Sequence, residues 1–89
     1  MKLFMVHVGF YDEEMGEGLY ESHINFFIAA SNAKSAKKKA FNMEQFKEKK
    51  MHIDGIKEIL DVEGYRVVLE KTSHTNKSKV YSYNESKKL

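Results

Sequence analysis

The chain has 89 residues, which suits one domain and leaves no room for two hydrophobic cores. It has no cysteine, so disulfides and thiolate-ligated metal sites are excluded, and the reducing cytoplasm is the expected location. The apolar run at the N-terminus is too short for a signal peptide or a spanning helix, so we expect no membrane association.

The first half of the chain predicts two paired strands. Residues 2–10 are apolar at both parities, which is typical of an interior strand with two covered faces. Residues 11–20 are acidic and contain glycine, so they are expected to form a loop. Residues 22–30 alternate again and predict a second strand, antiparallel to the first.

A helix is expected next. Ser31 or Asn32 offers an N-cap, because a short side-chain oxygen can accept a hydrogen bond from a free backbone N–H at the helix start. Apolar residues then recur every three or four positions and define one stripe, with lysines on the far side. The spacing predicts a single amphipathic helix from about Ala33 to Glu48. The stripe consists of Ala33, Ala36, Ala40, Met43 and Phe46.

The second half of the domain predicts a hairpin. Residues 51–60 and 65–71 have strand character, and residues 61–64 form the turn between them, with Gly64 best able to take a positive φ. Residues 72–89 are rich in Ser, Asn and Lys and are expected to be a basic, mostly disordered tail. The predicted domain therefore covers residues 1–71.

The predicted fold class is α+β. The element order is β-β-α-β-β, which gives a four-stranded, mainly antiparallel sheet with one amphipathic helix on one face. The first two strands also place apolar side chains such as Met5 and Phe27 on the face that the helix leaves uncovered. A second copy of the chain could cover that face, so we expect a homodimer.

No motif in the sequence predicts a cofactor. The chain lacks a phosphate-binding glycine loop, a GxSxG elbow, an HExxH helix and an EF-hand pattern, so none is expected. His23, His52 and Asp54 remain as a candidate polar site: strand parity places His23 on the uncovered face and projects His52 and Asp54 together to one side. His7 is a weaker fourth candidate. Imidazole and carboxylate could bind a metal ion, or act as a proton-transfer pair, or serve the structure alone.

Basic residues suggest a separate hypothesis. Residues 34–50 hold seven lysines against two glutamates, and residues 71–89 hold five lysines against one glutamate. Such a helix and tail could follow a phosphate backbone while tyrosines stack on bases. Residues 11–21 carry five acidic side chains that would repel the same polyanion, and the net charge is only +2, so nucleic-acid binding is not expected.

Several short segments resemble a bacterial domain-of-unknown-function family, number 1543 (DUF1543), across about residues 1–71. They are MKLFMV at the start, ESH before the second strand, HID at residues 52–54, and DVEGYRV at residues 61–67. The resemblance implies a small protein with one or two copies of this domain and brings no established activity. It directs attention to His23, His52, Asp54, Gly64 and Tyr65, whereas His7 departs from the apolar or aromatic residue expected there.

The function remains unknown on this basis. The leading hypothesis is a small cytoplasmic domain that binds a ligand or a protein partner as a homodimer, with a polar site at His23, His52 and Asp54. The alternative is a metal-binding protein or small enzyme that uses the same residues. Nucleic-acid binding through the basic helix and tail comes third.

Overall fold

The computed structural model describes all 89 residues as a mixed α+β structure. A three-stranded antiparallel sheet has the order β2-β1-β3, and a separate hairpin contains β4 and β5. The strands are β1 (Lys2–Tyr11), β2 (Glu21–Ala30), β3 (His52–Ile59), β4 (Asp61–Val62) and β5 (Tyr65–Arg66). The helices are α1 (Ala33–Phe41), α2 (Glu44–Glu48) and α3 (Tyr83–Lys87), and a 3₁₀ turn spans Gly16–Gly18.

The core lies between α1 and one face of the sheet. Alternate residues of β1 and β2 point to this face, and small alanines on α1 let the helix approach closely. Val6, Val8, Ala36 and Ala40 are fully buried. The ten core residues are Phe4, Val6, Val8, Phe26, Ile28, Ala30, Ala36, Ala40, Phe46 and Met51.

The face opposite α1 is the open face of the sheet. It consists of the odd-numbered residues of β1 and β2 together with the side of β3 that pairs with them. One end is apolar, with Leu3 and Met5 half-buried and Phe27 exposed. The other end carries the histidines, so the open face changes from apolar to polar along the strands.

The predicted four-stranded sheet is wrong in its strand count. β3 pairs with the central strand β1, and not with the segment that follows the turn. Only Tyr65 and Arg66 of that segment are in a strand, and they pair with Asp61 and Val62. The apolar positions of β3, Ile53 and Ile56, pack against the core, so burial of these side chains favours pairing with β1.

The predicted helix is two helices. Asn32 is the N-cap of α1, and its side chain accepts a hydrogen bond from the Ser35 N–H at 2.8 Å. The helix ends at Phe41, and Met43 takes an extended conformation before α2 begins. Phe46 on α2 is buried in the core, and its ring meets that of Phe41 edge-on with centroids 5.0 Å apart.

The predicted positive φ at Gly64 is confirmed, but the turn is narrower than the predicted residues 61–64, because Asp61 and Val62 belong to β4. Glu63 and Gly64 connect β4 to β5, with φ values of 51° and 85°. Two successive residues at positive φ match the right-handed twist of a two-residue hairpin, and glycine takes this conformation without steric cost.

The C-terminal segment is exposed throughout residues 70–89. Residues 67–82 form no helix or strand. Within the segment predicted as a mostly disordered tail, α3 begins at a capping box in which the Ser82 hydroxyl accepts from the Glu85 N–H. No helix in the structure is both long enough and apolar enough to span a membrane.

Candidate functional site

The pairing register gathers polar side chains at one end of the open face. Gly9 on the central strand pairs with His23 on one side and with His52 on the other. Residues opposite each other in an antiparallel sheet project to the same face. The two histidines therefore flank the backbone of Gly9 from the two outer strands.

Two carboxylates complete this arrangement. The two oxygens of Asp54 lie 3.1 Å from His23 Nε2 and 3.2 Å from His52 Nε2. Glu21 Oε1 lies 2.7 Å from His52 Nε2 and 3.5 Å from His23 Nε2. Each carboxylate thus contacts both imidazoles. We call Glu21, His23, His52 and Asp54 the His/carboxylate cluster.

Asp54 owes its position to an irregularity in β3. The register shifts between His7 and Val8, whose partners are Gly55 and Ile53, and Asp54 is left without a partner between them. An extra residue in one strand bends the chain and redirects a side chain. Here the carboxylate of the unpaired residue reaches both histidines.

Gly9 leaves room for the cluster. A Cβ atom at this position would lie 2.7 Å from His52 Nε2 and 2.8 Å from Asp54 Oδ2, and it would also collide with Glu21 Oε1. Those distances are shorter than van der Waals contact, so any larger residue would push the cluster apart. Gly9 is buried and forms the floor under the four side chains.

His7 and Asn25 support one side of the cluster. The His7 ring stacks on the His23 ring, with centroids 5.0 Å apart and an angle of 5° between the planes. His7 Nδ1 lies 2.7 Å from Asn25 Oδ1. An amide oxygen only accepts hydrogen bonds, so in this contact Nδ1 is the donor.

The ligand atoms fall into two sets with Asp54 in common. In one set Asp54 joins His7 and His23, and in the other it joins Glu21 and His52. Within each set all ligand atoms lie within 4.8 Å of one another. The cluster side chains are between 32% and 46% exposed, so a dissolved ion or small molecule can reach them without a structural opening.

The structure brings the three predicted residues, His23, His52 and Asp54, to one place. His7 lies beside them, on the face that strand parity indicated. Glu21 and Gly9 were missed. Glu21 shares the parity of His23 two residues later, which is a signal that could have been used, but the role of Gly9 depends on pairing between distant segments.

The basic elements lie away from the cluster. α1 packs on the opposite face of the sheet, and its Lys39 Nζ donates to the Ala29 carbonyl. In the tail, Lys79 lies 4.9 Å from the centroid of the Tyr81 ring, and Lys87 lies 5.3 Å from that of Tyr83. The tyrosines considered for base stacking therefore already have cationic neighbours.

Comparison with known proteins finds a family but no characterised relative. No curated protein and no solved structure matches the chain. The sequence pattern of the Domain of Unknown Function (DUF1543) matches residues 18–69, which is more than half of the chain and includes all four cluster residues. The resemblance noted from short segments is confirmed by this match, and the chain belongs to the DUF1543 family.

Proposed function

We propose that this protein binds a divalent transition-metal ion at the His/carboxylate cluster. The observation that carries the proposal is the convergence of two imidazole Nε2 atoms on the same two carboxylates above Gly9. This favours the metal-binding hypothesis over an interaction domain without a metal, because each carboxylate lies within 3.5 Å of both imidazoles.

The donor set selects the kind of ion. Two neutral imidazoles and two carboxylates carry a charge of about −2, which balances one divalent cation. Imidazole suits zinc, iron, nickel and copper, whereas magnesium and calcium prefer sites made of oxygen alone. We therefore expect Zn²⁺ or a neighbouring transition metal to bind and Mg²⁺ to bind weakly.

Each imidazole is spaced from the carboxylates as neighbouring ligands are in a zinc site, and Asp54 is shared between the His23 set and the His52 set. Ligand atoms bound to zinc at about 2.0–2.1 Å in a tetrahedron lie about 3.3 Å from one another. Three of the four separations between imidazole nitrogen and carboxylate oxygen are 3.1, 3.2 and 3.5 Å. The fourth, from His52 to Glu21, is 2.7 Å and is a hydrogen-bond length that a small shift would open.

If the cluster has only a structural role, removing one of its histidines should have a different effect than if it binds a metal. Exposed ion pairs contribute about 0.2–1 kcal/mol each to the free energy of unfolding. Removing one histidine from this half-exposed cluster should therefore cost little stability. If the cluster is a metal site, the same substitution should remove a large part of the metal affinity, so the two roles are separable.

The test is metal titration of the untagged chain and two alanine variants. We expect one Zn²⁺ per chain by native mass spectrometry, and calorimetry should show binding weakened at least about tenfold by His52→Ala, since a ligand is lost. His74→Ala is the matched control, because His74 lies in the exposed C-terminal segment. Circular dichroism checks that each variant is folded.

Absence of Zn²⁺, Ni²⁺ and Co²⁺ binding by the wild-type chain would refute the proposal. Equal affinity in the His52→Ala and His74→Ala variants would refute the site. We keep the cytoplasm as the proposed location, which a cysteine-free sequence suits and which fractionation of cells that express the chain would check.

A further inference from the structure

Strand β2 has an outer edge that no strand covers, and the Lys39 side chain contacts it at the Ala29 carbonyl. The strand is ten residues long, pairs with β1 on one side, and keeps a continuous register from Glu21 to Ala30. Natural edge strands are usually short or carry lysine, proline or a bulge that blocks further pairing. β2 contains none of these residues, and its register with β1 has no shift.

The other edge of the sheet is protected. β3 carries the irregularity at Asp54, and its exposed residues include Lys57 and Glu58. A bulge and charged side chains discourage the addition of another strand. The edge of β2 can therefore accept another strand more readily than the edge of β3.

The outward backbone groups of β2 can be identified from one contact. The Ala29 carbonyl accepts a hydrogen bond from Lys39 Nζ, so this carbonyl points away from β1. In an antiparallel strand the backbone groups of alternate residues point the same way. The N–H and C=O groups of Glu21, His23, Asn25 and Phe27 therefore lie along the free edge, and all four residues are exposed.

We propose that β2 pairs with β2 of a second copy of this chain, so that two three-stranded sheets become one six-stranded sheet. Antiparallel pairing of identical strands has two-fold symmetry and closes as a dimer. Hydrogen-bonded pairs can form only between residues whose N–H and C=O groups point to the free edge. Odd-numbered residues of one copy must therefore pair with odd-numbered residues of the other. A two-fold axis at Asn25 satisfies this condition and uses nearly the whole strand.

The edge is a better contact than the open face. Covering the open face would remove the two carboxylates and the imidazoles of the His/carboxylate cluster from water, which costs free energy without new partners. Edge pairing leaves both clusters accessible. With the axis at Asn25, Phe27 of the second copy lies beside His23, so its exposed ring forms a wall of the cluster across the interface.

Sedimentation of the wild-type chain and three variants tests the pairing. We expect a dimer at micromolar concentrations. Asn25→Pro should weaken it at least about tenfold, because the lost outward N–H enters the symmetric interface twice. Phe27→Lys is a second variant that keeps every backbone donor but adds charge to the edge. Met5→Lys, on the open face of the central strand, is the control and should remain dimeric.

Disulfide formation tests the position of the axis. The chain has no cysteine, so a single introduced thiol can only join two copies. Opposed residues at a hydrogen-bonded pair lie about 5.5 Å apart at Cα, within the range that a disulfide spans. We expect Asn25→Cys to form a covalent dimer under mild oxidation and Lys57→Cys, on β3, to remain monomeric in denaturing gels.

Three results would overturn the inference. The first is a wild-type monomer throughout the micromolar range. The second is a dimer that survives both Asn25→Pro and Phe27→Lys. The third is a dimer lost with Met5→Lys, which would place the second copy on the open face. Metal binding by a monomer would leave the proposed function intact, so the two proposals fail separately.

Discussion

Gly9 is the residue whose size controls the candidate site. Its hydrogen occupies the space in which a Cβ atom would meet His52 Nε2 at 2.7 Å and Asp54 Oδ2 at 2.8 Å. Glycine in a strand interior usually weakens the strand, so its presence in the central strand β1 has a cost in stability. The structure gives that cost a reason, because the four cluster side chains can approach one another only above a residue without a side chain.

We expect Gly9→Ala to weaken Zn²⁺ binding at least about tenfold, since the added methyl group must displace ligand atoms. Calorimetry measures the affinity. Gly55→Ala is the matched control: this glycine pairs with His7 on the same face, and a Cβ there would meet no atom within 4 Å. Equal Zn²⁺ affinity in the two variants would show that Gly9 does not shape the site.

At the scale of elements, α1 depends on its N-cap. The sequence offers Ser31 and Asn32 as candidates, and the structure uses Asn32, whose side-chain oxygen accepts from the Ser35 N–H. We expect Asn32→Ala to lower the free energy of unfolding by about 1 kcal/mol, because that donor loses its partner. Ser31→Ala should change it by less than about 0.5 kcal/mol. Urea denaturation of both variants would contradict this expectation if the two losses were equal.

Local patterns predicted the elements better than their partners. Alternation in residues 2–10 and 22–30 and the positive φ at Gly64 follow from short stretches of sequence, and the structure agrees with them. Pairing of residues 52–59 with the first strand depends on which distant face buries more apolar area, which no local pattern states. The predicted single helix was wrong because the apolar spacing continues through Met43 and Phe46 and does not mark the break at Met43.

For the candidate site too, local patterns predicted the face on which residues lie but not which residues meet. Strand parity placed His7 and His23 on the face opposite the helix, and the structure puts His7 against His23 there. Parity could not show that Gly9 lies between His23 and His52, because that fact comes from register on both sides of β1. It also could not show that Asp54 is the extra residue in β3. The four side chains of the cluster thus come together because the three strands pair in this register.

At the scale of the whole molecule, the core and the His/carboxylate cluster lie in one part of the chain, and the exposed C-terminal segment contributes to neither. All core residues lie between Phe4 and Met51, and every cluster residue lies before Gly55. Residues 72–89 contribute no buried side chain, and α3 within them is capped by its own residues. Burial of apolar area supplies most of the stability of a small domain, so this segment should contribute little of it.

We expect a chain truncated after Lys71 to keep its fold, its midpoint of thermal unfolding within about 2 °C, and its Zn²⁺ affinity. A difference of 1 kcal/mol would shift the midpoint of a domain this size by about 4–8 °C, so a small shift means a small contribution. Thermal unfolding followed by circular dichroism, with and without Zn²⁺, measures both quantities. The matched control is a full-length chain with Tyr81→Ala and Tyr83→Ala, which removes the exposed aromatic rings but keeps the length. A drop of 4 °C or more on truncation, with none in this control, would show that the backbone of the tail docks on the domain.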